Sequence, residues 1–422
     1  MNHAAPARFL GSHEATASTP SLSACSSPAV LRRGRDAARV HRQLPPPRAE
    51  LRACVIIPAK DEALNLPATL AALAAQTDGH GQALPAGCFE VLVLANNCTD
   101  ATAAVVRQHA RLFPQVVLHV AELCLPPARA HVGRARRLLM DEACARLEQV
   151  GAPGAIIAST DADTCVAPTW LAAIEAEIAA GADAVGGRIH SEISGEELLP
   201  LRRLQTRDTA YRLLCARLES LLDPNRADPW PRHHQHFGAS LALTTRAYRR
   251  VGGLPEVRFL EDEALCQALR RHDLRVRHSP HVQVLTSARR EGRVEVGLSW
   301  QLREWLNMSR QYREPHVECP RQLAALWQVR RQLRAYWGRR AVQRNHALAT
   351  RLGLAASALQ AQVQQAASFG ELWDNIVATA PNATVALVPL SRALRELPLL
   401  IKSAQAVRRT ASVPQLLAQF SG

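Results

Sequence analysis

The stretch GAIIASTDADT, residues 154–164, decides how the fold is read. Its first half is short, apolar and β-branched. It stops at two carboxylates, Asp161 and Asp163, which straddle one small residue. Such a run reads as a strand buried on both faces, as in a parallel sheet. The same pattern recurs upstream. RACVIIPAK places a buried strand at Cys54–Ile57 that halts at Pro58. DEALNLPATLAALAAQT follows with Leu and Ala at helical spacing, and Asp61 and Glu62 are expected in its first turn, where the dipole favours anions. FEVLVLA (89–95) and VVLHVA (116–121) read as further strands, DATAAVVRQHARLF (100–113) and ARAHVGRARRLLMDEACARLEQV (128–150) as helices. Strands alternating with helices of this length predict an α/β fold with a doubly wound, mostly parallel central sheet. Ligands of such sheets sit beyond the carboxyl ends of the strands. The polar clusters PAKDE, NNCTD and TDADT are therefore expected to meet in one crevice.

Two of these clusters have the chemistry of a site. Asp161 and Asp163, at a strand end, could bind a hard divalent cation that takes its remaining ligands from a substrate diphosphate. The alternative is that they cap the following helix, WLAAIEAEIAA. Glu261-Asp262-Glu263 opens a helix after the turn VGGLPEVRFL, and one of its carboxylates could take a proton from an acceptor hydroxyl. An ordinary acid-rich helix start would look the same.

Beyond residue 190 the periodicity changes. Residues 196–222 read as one long helix, and the loop DPNRADPWPRHHQHFG follows with three histidines. ASLALTT reads as a strand, and LRVRHSPHVQVLTSA as a pair of short strands. Residues 295–312 and most of 320–410 read as basic helices. His233, His234 and His236 lack the cysteine or downstream partner of a zinc finger, which leaves acceptor contact or a solvated loop. His281 is a candidate third metal ligand, and Arg289 and Arg290 are candidates to pair with a diphosphate. Trp300 and Trp305 are expected in the core.

The chain has 422 residues, 47% of them hydrophobic, and a net charge of +14. The excess sits at the ends: residues 51–320 carry 31 basic and 31 acidic side chains, residues 321–422 carry 13 and 3. A basic tail suits anionic lipid or nucleic acid equally; no specific nucleic acid is expected. Interleaved apolar and basic residues in 384–420 suggest peripheral contact with an anionic membrane, with Pro389 and Pro398 breaking the helix, or a helix packed on the rest of the protein. No apolar run reaches the roughly 18 residues of a spanning helix. The start resembles no secretory signal, and the ten cysteines include no CxxC pair, so a reducing, cytoplasmic setting is expected, at most peripheral at the inner face of a membrane.

In order along the chain, ACVIIPAKDEALNLPATLAAL, VLVLANNCTDAT, HVGRARRLLMDEA, ASTDADTCVAP and FGASLALTTRAYRRVGGLPEVRFLEDEAL resemble glycosyltransferase family 2 over about residues 52–290. The resemblance implies the glycosyltransferase A (GT-A) fold, Mg²⁺ or Mn²⁺, a nucleotide-sugar donor and inversion at the anomeric carbon. It also implies that Pro58, Ala59 and Glu62 lie by the nucleotide, that Asp161 approaches ribose or metal, and that Asp163 ligates the metal. Arg136 would contact the base or diphosphate, Asp262 of the Glu261-Asp262 pair would be the catalytic base, and Gly238 with His236 would border the acceptor.

Two departures stand out. Where many members carry Asp-Asp-Gly-Ser, this chain has Ala95-Asn96-Asn97-Cys98, so Asn96 would have to accept from the nucleobase through its carbonyl. Gln301-Leu302-Arg303-Glu304-Trp305 has the residues of the processive Q-x-x-R-W motif without its spacing, which favours transfer of a single sugar. The expected organisation is a disordered leader (1–50), a GT-A domain (51–315) and a basic helical region (316–422). The acceptor, a small molecule, lipid or glycan, is not specified. The competing readings are a basic-tailed scaffold with a degenerate GT-A domain and a sugar-nucleotide pyrophosphorylase; the latter would need a glycine-rich loop after the first strand, which PAKDE lacks.

Overall fold

Alternate residues of the first strand, β1 (Ala53–Ala59), enter two different cores, and this follows from the period of two along a strand. Cys54 and Ile56 pack with Leu138 and Leu139 of helix Val132–Gln149, and Val55 and Ile57 pack with Leu70 and Leu73 of helix Leu66–Ala74 and with Trp170. The computed structural model describes residues 34–152, 154–193, 198–288, 297–339 and 343–419. Its remaining sheet strands are β2 (Phe89–Asn96), β3 (Val117–Leu123), β4 (Ile156–Ser159), β5 (Thr164–Val166), β6 (Ala184–Glu192), β7 (Leu241–Thr244) and β8 (Val276–Ser287). They form one eight-stranded sheet in the order β3-β2-β1-β4-β7-β6-β8-β5. β3, β2, β1 and β4 are parallel, β7 runs antiparallel between β4 and β6, β6 and β8 are parallel, and β5 is antiparallel to β8. The sheet is thus mostly parallel and flanked by helices on both faces, as expected.

Several details differ from the expectation. Asp61 and Glu62 do not open a helix; the helix starts at Leu66, and Asp61 adopts φ +50° to accept from the Thr99 amide. β8 is one strand, not two. Its register on β6 jumps from Gly187↔Ser279 to Arg188↔Gln283, so Pro280 falls in the skipped stretch, where its missing N–H breaks no ladder bond. Pro398 does not break the C-terminal helix Leu390–Gln419; Leu390, Ala393 and Leu397 are buried against helix Leu199–Leu222, and that packing outweighs a proline cost of about 3 kcal/mol. The apolar face that would enter a membrane is therefore covered, leaving Leu399 and Val407 as its large exposed apolar side chains among the described residues.

Packing also begins earlier than the expected leader boundary at residue 50. Helix Arg35–His41 buries Val40 in the first core, and Gln43 bonds the amide and carbonyl of Glu122 on the edge strand β3. At the other end, residues beyond 316 pack onto the sheet domain. β9 (His316–Glu318) pairs with β10 (Leu387–Pro389), and Asp273 caps helix Phe369–Thr379 by accepting from the Phe369 and Gly370 amides at 2.7 and 2.8 Å. Among the described residues, no helix is long and apolar enough to cross a membrane.

Opposite the strand ends, Arg146 grips Glu90 with two hydrogen bonds of 2.7 and 2.6 Å, both side chains almost wholly buried. Removing one member leaves the other charge buried and unpaired. Arg146→Met should therefore cost about 3–5 kcal/mol, read as a lower urea midpoint, and the double change Glu90→Leu with Arg146→Met should recover much of it.

Candidate functional site

Asp161 and Asp163 sit in the turn between β4 and β5, and neighbouring elements pin that turn. Thr69 Oγ1 donates to the carbonyl of buried Ala162, Thr164 N–H to that of Asp161, and Ser287 N–H to that of Asp163. The two carboxylates do not cap a helix: β5 intervenes, and helix Trp170–Ala179 starts later. Both line an open cleft of about 2200 Å³ at the carboxyl ends of the strands. The cleft also takes in Pro58, Ala59, Glu62, Asn96, Arg136, His236, Gly238, Glu261 and Asp262. The structure thus brings these sequence-predicted residues to one hollow.

Arg136, buried on helix Val132–Gln149, joins the two acidic clusters. Its guanidinium donates to Ser159 Oγ at 3.1 Å, to Asp161 Oδ1 at 2.7 Å and to Glu261 Oε1. In this arrangement Arg136, expected by the base or diphosphate, lines the cleft and braces the protein's own carboxylates. Glu261, buried and held by Arg136, serves as the other end of that brace. Gly238 closes the gap: a Cβ there would lie 2.4 Å from Arg136 Cζ, so only glycine fits.

The Gly238 amide donates to Asp262 Oδ2 at 2.7 Å, which fixes that carboxylate at the cleft wall. Leu260 precedes this helix, Glu261–Arg271, at φ +57°, a left-handed conformation that costs a leucine about 1–2 kcal/mol and turns the chain so that the acids start the helix at the cleft. At the end of β2, Asn96 is buried and its Oδ1 has no hydrogen-bond partner among the described residues. Such an acceptor costs free energy unless a ligand donor or water meets it.

The histidine loop is packed inward, with His233 and His236 buried, and its histidines are in none of the possible metal-holding groups found among the described residues. His236 Nε2 meets Glu263 Oε2 at 2.6 Å, His236 Nδ1 meets His278 Nε2 at 3.3 Å, and His278 Nδ1 meets Asp228 Oδ2 at 2.7 Å. His233 Nε2 bonds the Ser279 carbonyl at 3.0 Å. The relay runs from Asp228 to the residue beside Asp262, and it occupies the His236 ring expected to border the acceptor. His278 and Asp228 were missed in the sequence, where nothing separates a buried histidine from an exposed one. His281 is exposed on β8 and does not line the cleft. Trp305 is in the core as expected and Trp300 is half-buried; both line the cleft. Arg289 and Arg290 lie outside the described residues. Asp61, Cys98 and Asp100 bring ligand atoms within 4.8 Å of one another, and Asp61 and Asp100 accept from the amides of Thr99 and Thr102 in the interlocked loops after β1 and β2.

Burial sets most of the titrations. It pushes His233 down to about 3 and His278 down to about 4, the latter against the pull of Asp228. His236 goes the other way, up to about 10: burial would lower it, but Cys266 and Glu263 outweigh burial.

Residues 54–236 match the family model Glycosyl transferase family 2. The protein carries a glycosyltransferase family 2 domain. Solved glycosyltransferases are similar to the chain at low identity. A mannosyltransferase from Pyrobaculum calidifontis, solved with GDP-Man and Mn²⁺, is 17% identical over 90% of this chain and 87% of that one, with a TM-score of 0.42. TarS 1–349 of S. aureus is 14% identical over 86% and 92%, at 0.38, and glucosyl-3-phosphoglycerate synthase of M. tuberculosis is 16% identical over 67% and 87%, at 0.34. Likenesses this distant carry no argument about substrate. No curated protein matches the chain. The match ends at His236, so the part of this glycosyltransferase holding Gly238 and Asp262 is placed by geometry alone.

The buried histidines predict acid sensitivity. His233 and His278 have folded pKa values below the unfolded one, so below about pH 6.5 the unfolded chain binds protons that the folded one refuses. Their contribution to stability is full above that pH and should be lost as pH drops towards about 4. His278→Asn should flatten the slope of thermal midpoint against pH between 6.5 and 4.

Proposed function

We propose that this glycosyltransferase moves a single sugar from a nucleotide-sugar donor to an acceptor hydroxyl with inversion, using Asp262 as base and a divalent cation at Asp161 and Asp163. The observation that carries the reading is the Arg136 brace, which ties Asp161 at a strand end to Glu261, the neighbour of Asp262, across one cleft.

The donor set fits a hard cation. Asp161 uses Oδ1 on Arg136, and its other oxygen and the Asp163 carboxylate are oxygen ligands of the kind Mg²⁺ and Mn²⁺ take. When bound, the cation would offset negative charge on the departing nucleoside diphosphate. Pro58, Ala59 and Glu62, at and just beyond the end of β1, would border the nucleotide. Asn96 would offer its unmatched carbonyl to a base ring N–H. Asp262, oriented by the Gly238 amide, would take the acceptor hydroxyl proton as that oxygen forms its bond to the anomeric carbon. The carbon–oxygen bond to the diphosphate breaks on the opposite face, and the nucleoside diphosphate leaves. Glu261 keeps Arg136 in place and stays out of the proton transfer.

The acceptor would be a small molecule, lipid or glycan. Nine described cysteines are free thiols, which supports a reducing, cytoplasmic setting.

Nucleoside diphosphate release from UDP-, GDP- and dTDP-sugars, with and without Mn²⁺, tests this reading. One donor should be hydrolysed slowly and only with metal. Asp163→Ala and Asp262→Asn should each lower turnover by about 10²–10⁴-fold with an unchanged thermal midpoint. Near-wild-type rates in Asp262→Asn would rule out that base.

A further inference from the structure

The cleft is rich in arginine, and nearly all of it is matched by acid. Arg136 is held by Asp161 and Glu261, Arg232 by Glu219 and Asp228, and Arg330 by Glu219 and Asp223. Arg212 pairs with Asp208, Arg270 with Glu263, Arg275 with Asp183 and Arg334 with Asp223. Arg258 lies over the Phe259 ring at 5.2 Å, and Lys60 is exposed.

Arg188 is the exception. It lines the same cleft half-buried, and among the described residues it has no carboxylate and no hydrogen-bond partner. A half-buried guanidinium without an anion has lost hydration and gained nothing in return. The strand is shaped to put it there. The register of β6 on β8 shifts between Gly187 and Arg188, an irregularity of the kind that re-aims a side chain beside a site. Gly186 and Gly187 have no room for a Cβ, which would come within 2.4 Å of the Gln235 carbonyl and 2.1 Å of Ser240 Oγ respectively, so β6 presses against the loop that carries His236 and Gly238.

Arg188 also stands at a useful distance. Three residues on, Ser191 pairs with Thr286, whose Oγ1 meets Thr164 Oγ1 at 2.8 Å beside Asp163. Three residues of strand span about 10 Å. Arg188 is therefore set off along β6 from the turn that carries Asp163, beside the loop that carries His236 and Gly238.

Building on the transferase reading above, we propose that the acceptor carries an anionic group, a phosphate or a carboxylate, which Arg188 binds while the acceptor hydroxyl faces Asp262. A guanidinium fork matches both anions in two parallel hydrogen bonds.

The test is calorimetric titration of the full chain already saturated with Mn²⁺ and its preferred nucleoside diphosphate, so that the diphosphate site is filled. The probes are inorganic phosphate, acetate, and vesicles containing phosphatidic acid. Wild type should bind phosphate or acetate, and Arg188→Met should bind it at least about tenfold more weakly, the loss of one charge-assisted contact. Arg188→Lys should fall between. Binding of vesicles alone, lost in Arg188→Met, would place the anion on a lipid headgroup; binding of the free ions would place it on a soluble acceptor. Unchanged affinity in Arg188→Met, or no binding of any probe by wild type, would overturn the proposal. The nucleotide step is read first and separately, so failure there counts against the transferase reading, and the probes are then titrated into the nucleotide-free protein. If Arg188→Met does not fold, Arg188→Lys, which keeps the charge but not the fork, supplies the comparison.

Discussion

A single buried guanidinium makes one site out of two parts of the chain. Asp161 and Glu261 are a hundred residues apart in sequence, on a strand end and a helix start. Left facing each other, two carboxylates would repel. Arg136 between them turns that repulsion into attraction and fixes the spacing of the strand end and the helix. Everything else at the cleft is adjusted to it. Gly238 has no side chain because the guanidinium fills the space, and the Gly238 amide is thereby placed on Asp262. Ser159 takes the third donor from within β4.

The wall facing the strand ends rests on similar physics. Glu219 on the long helix Leu199–Leu222 is half-buried, and burial pushes its pKa up; Arg330 and Arg232 instead hold it down to about 2. Arg330 reaches Asp223 as well, and Arg232 and Arg277 meet at Asp228, which also receives His278. This network stitches the long helix, the histidine loop, β8 and the C-terminal helix Pro320–Gly338 together. The excess positive charge of the C-terminal region is partly consumed here, in ion pairs with the acids of the catalytic body. That accounts for some of its arginine without appeal to an outside polyanion.

Much of the cleft was legible in sequence because strand ends announce themselves. An apolar run that stops at PAKDE, NNCTD or TDADT shows both the strand and the polar group it delivers. The acids at 261–263 were legible for the same reason at a helix start. β6 was not. AVGGRIHSE holds two glycines and two charged residues, so it lacks the apolar signature of a buried strand. It is a strand because the glycines let His236 and Ser240 come close, a contact that no local pattern encodes. The histidine loop failed for a related reason: polar residues enter a core when each finds a partner, and those partners, Asp228, Glu263 and Ser279, are scattered along the chain. The bracing by Arg136 was not legible either, because a site arginine facing a diphosphate and one bracing carboxylates look identical in sequence.

Arg136 links the half of the cleft proposed to hold a metal to the half proposed to accept the proton. Binding of UDP, GDP and dTDP by calorimetry, with and without Mn²⁺, in wild type and in Arg136→Met, tests this most directly. Wild type should bind one nucleotide only with the metal, and Arg136→Met, still folded, should lose that binding because Asp161 is no longer held. Wild-type affinity in Arg136→Met, or binding indifferent to Mn²⁺, would contradict it.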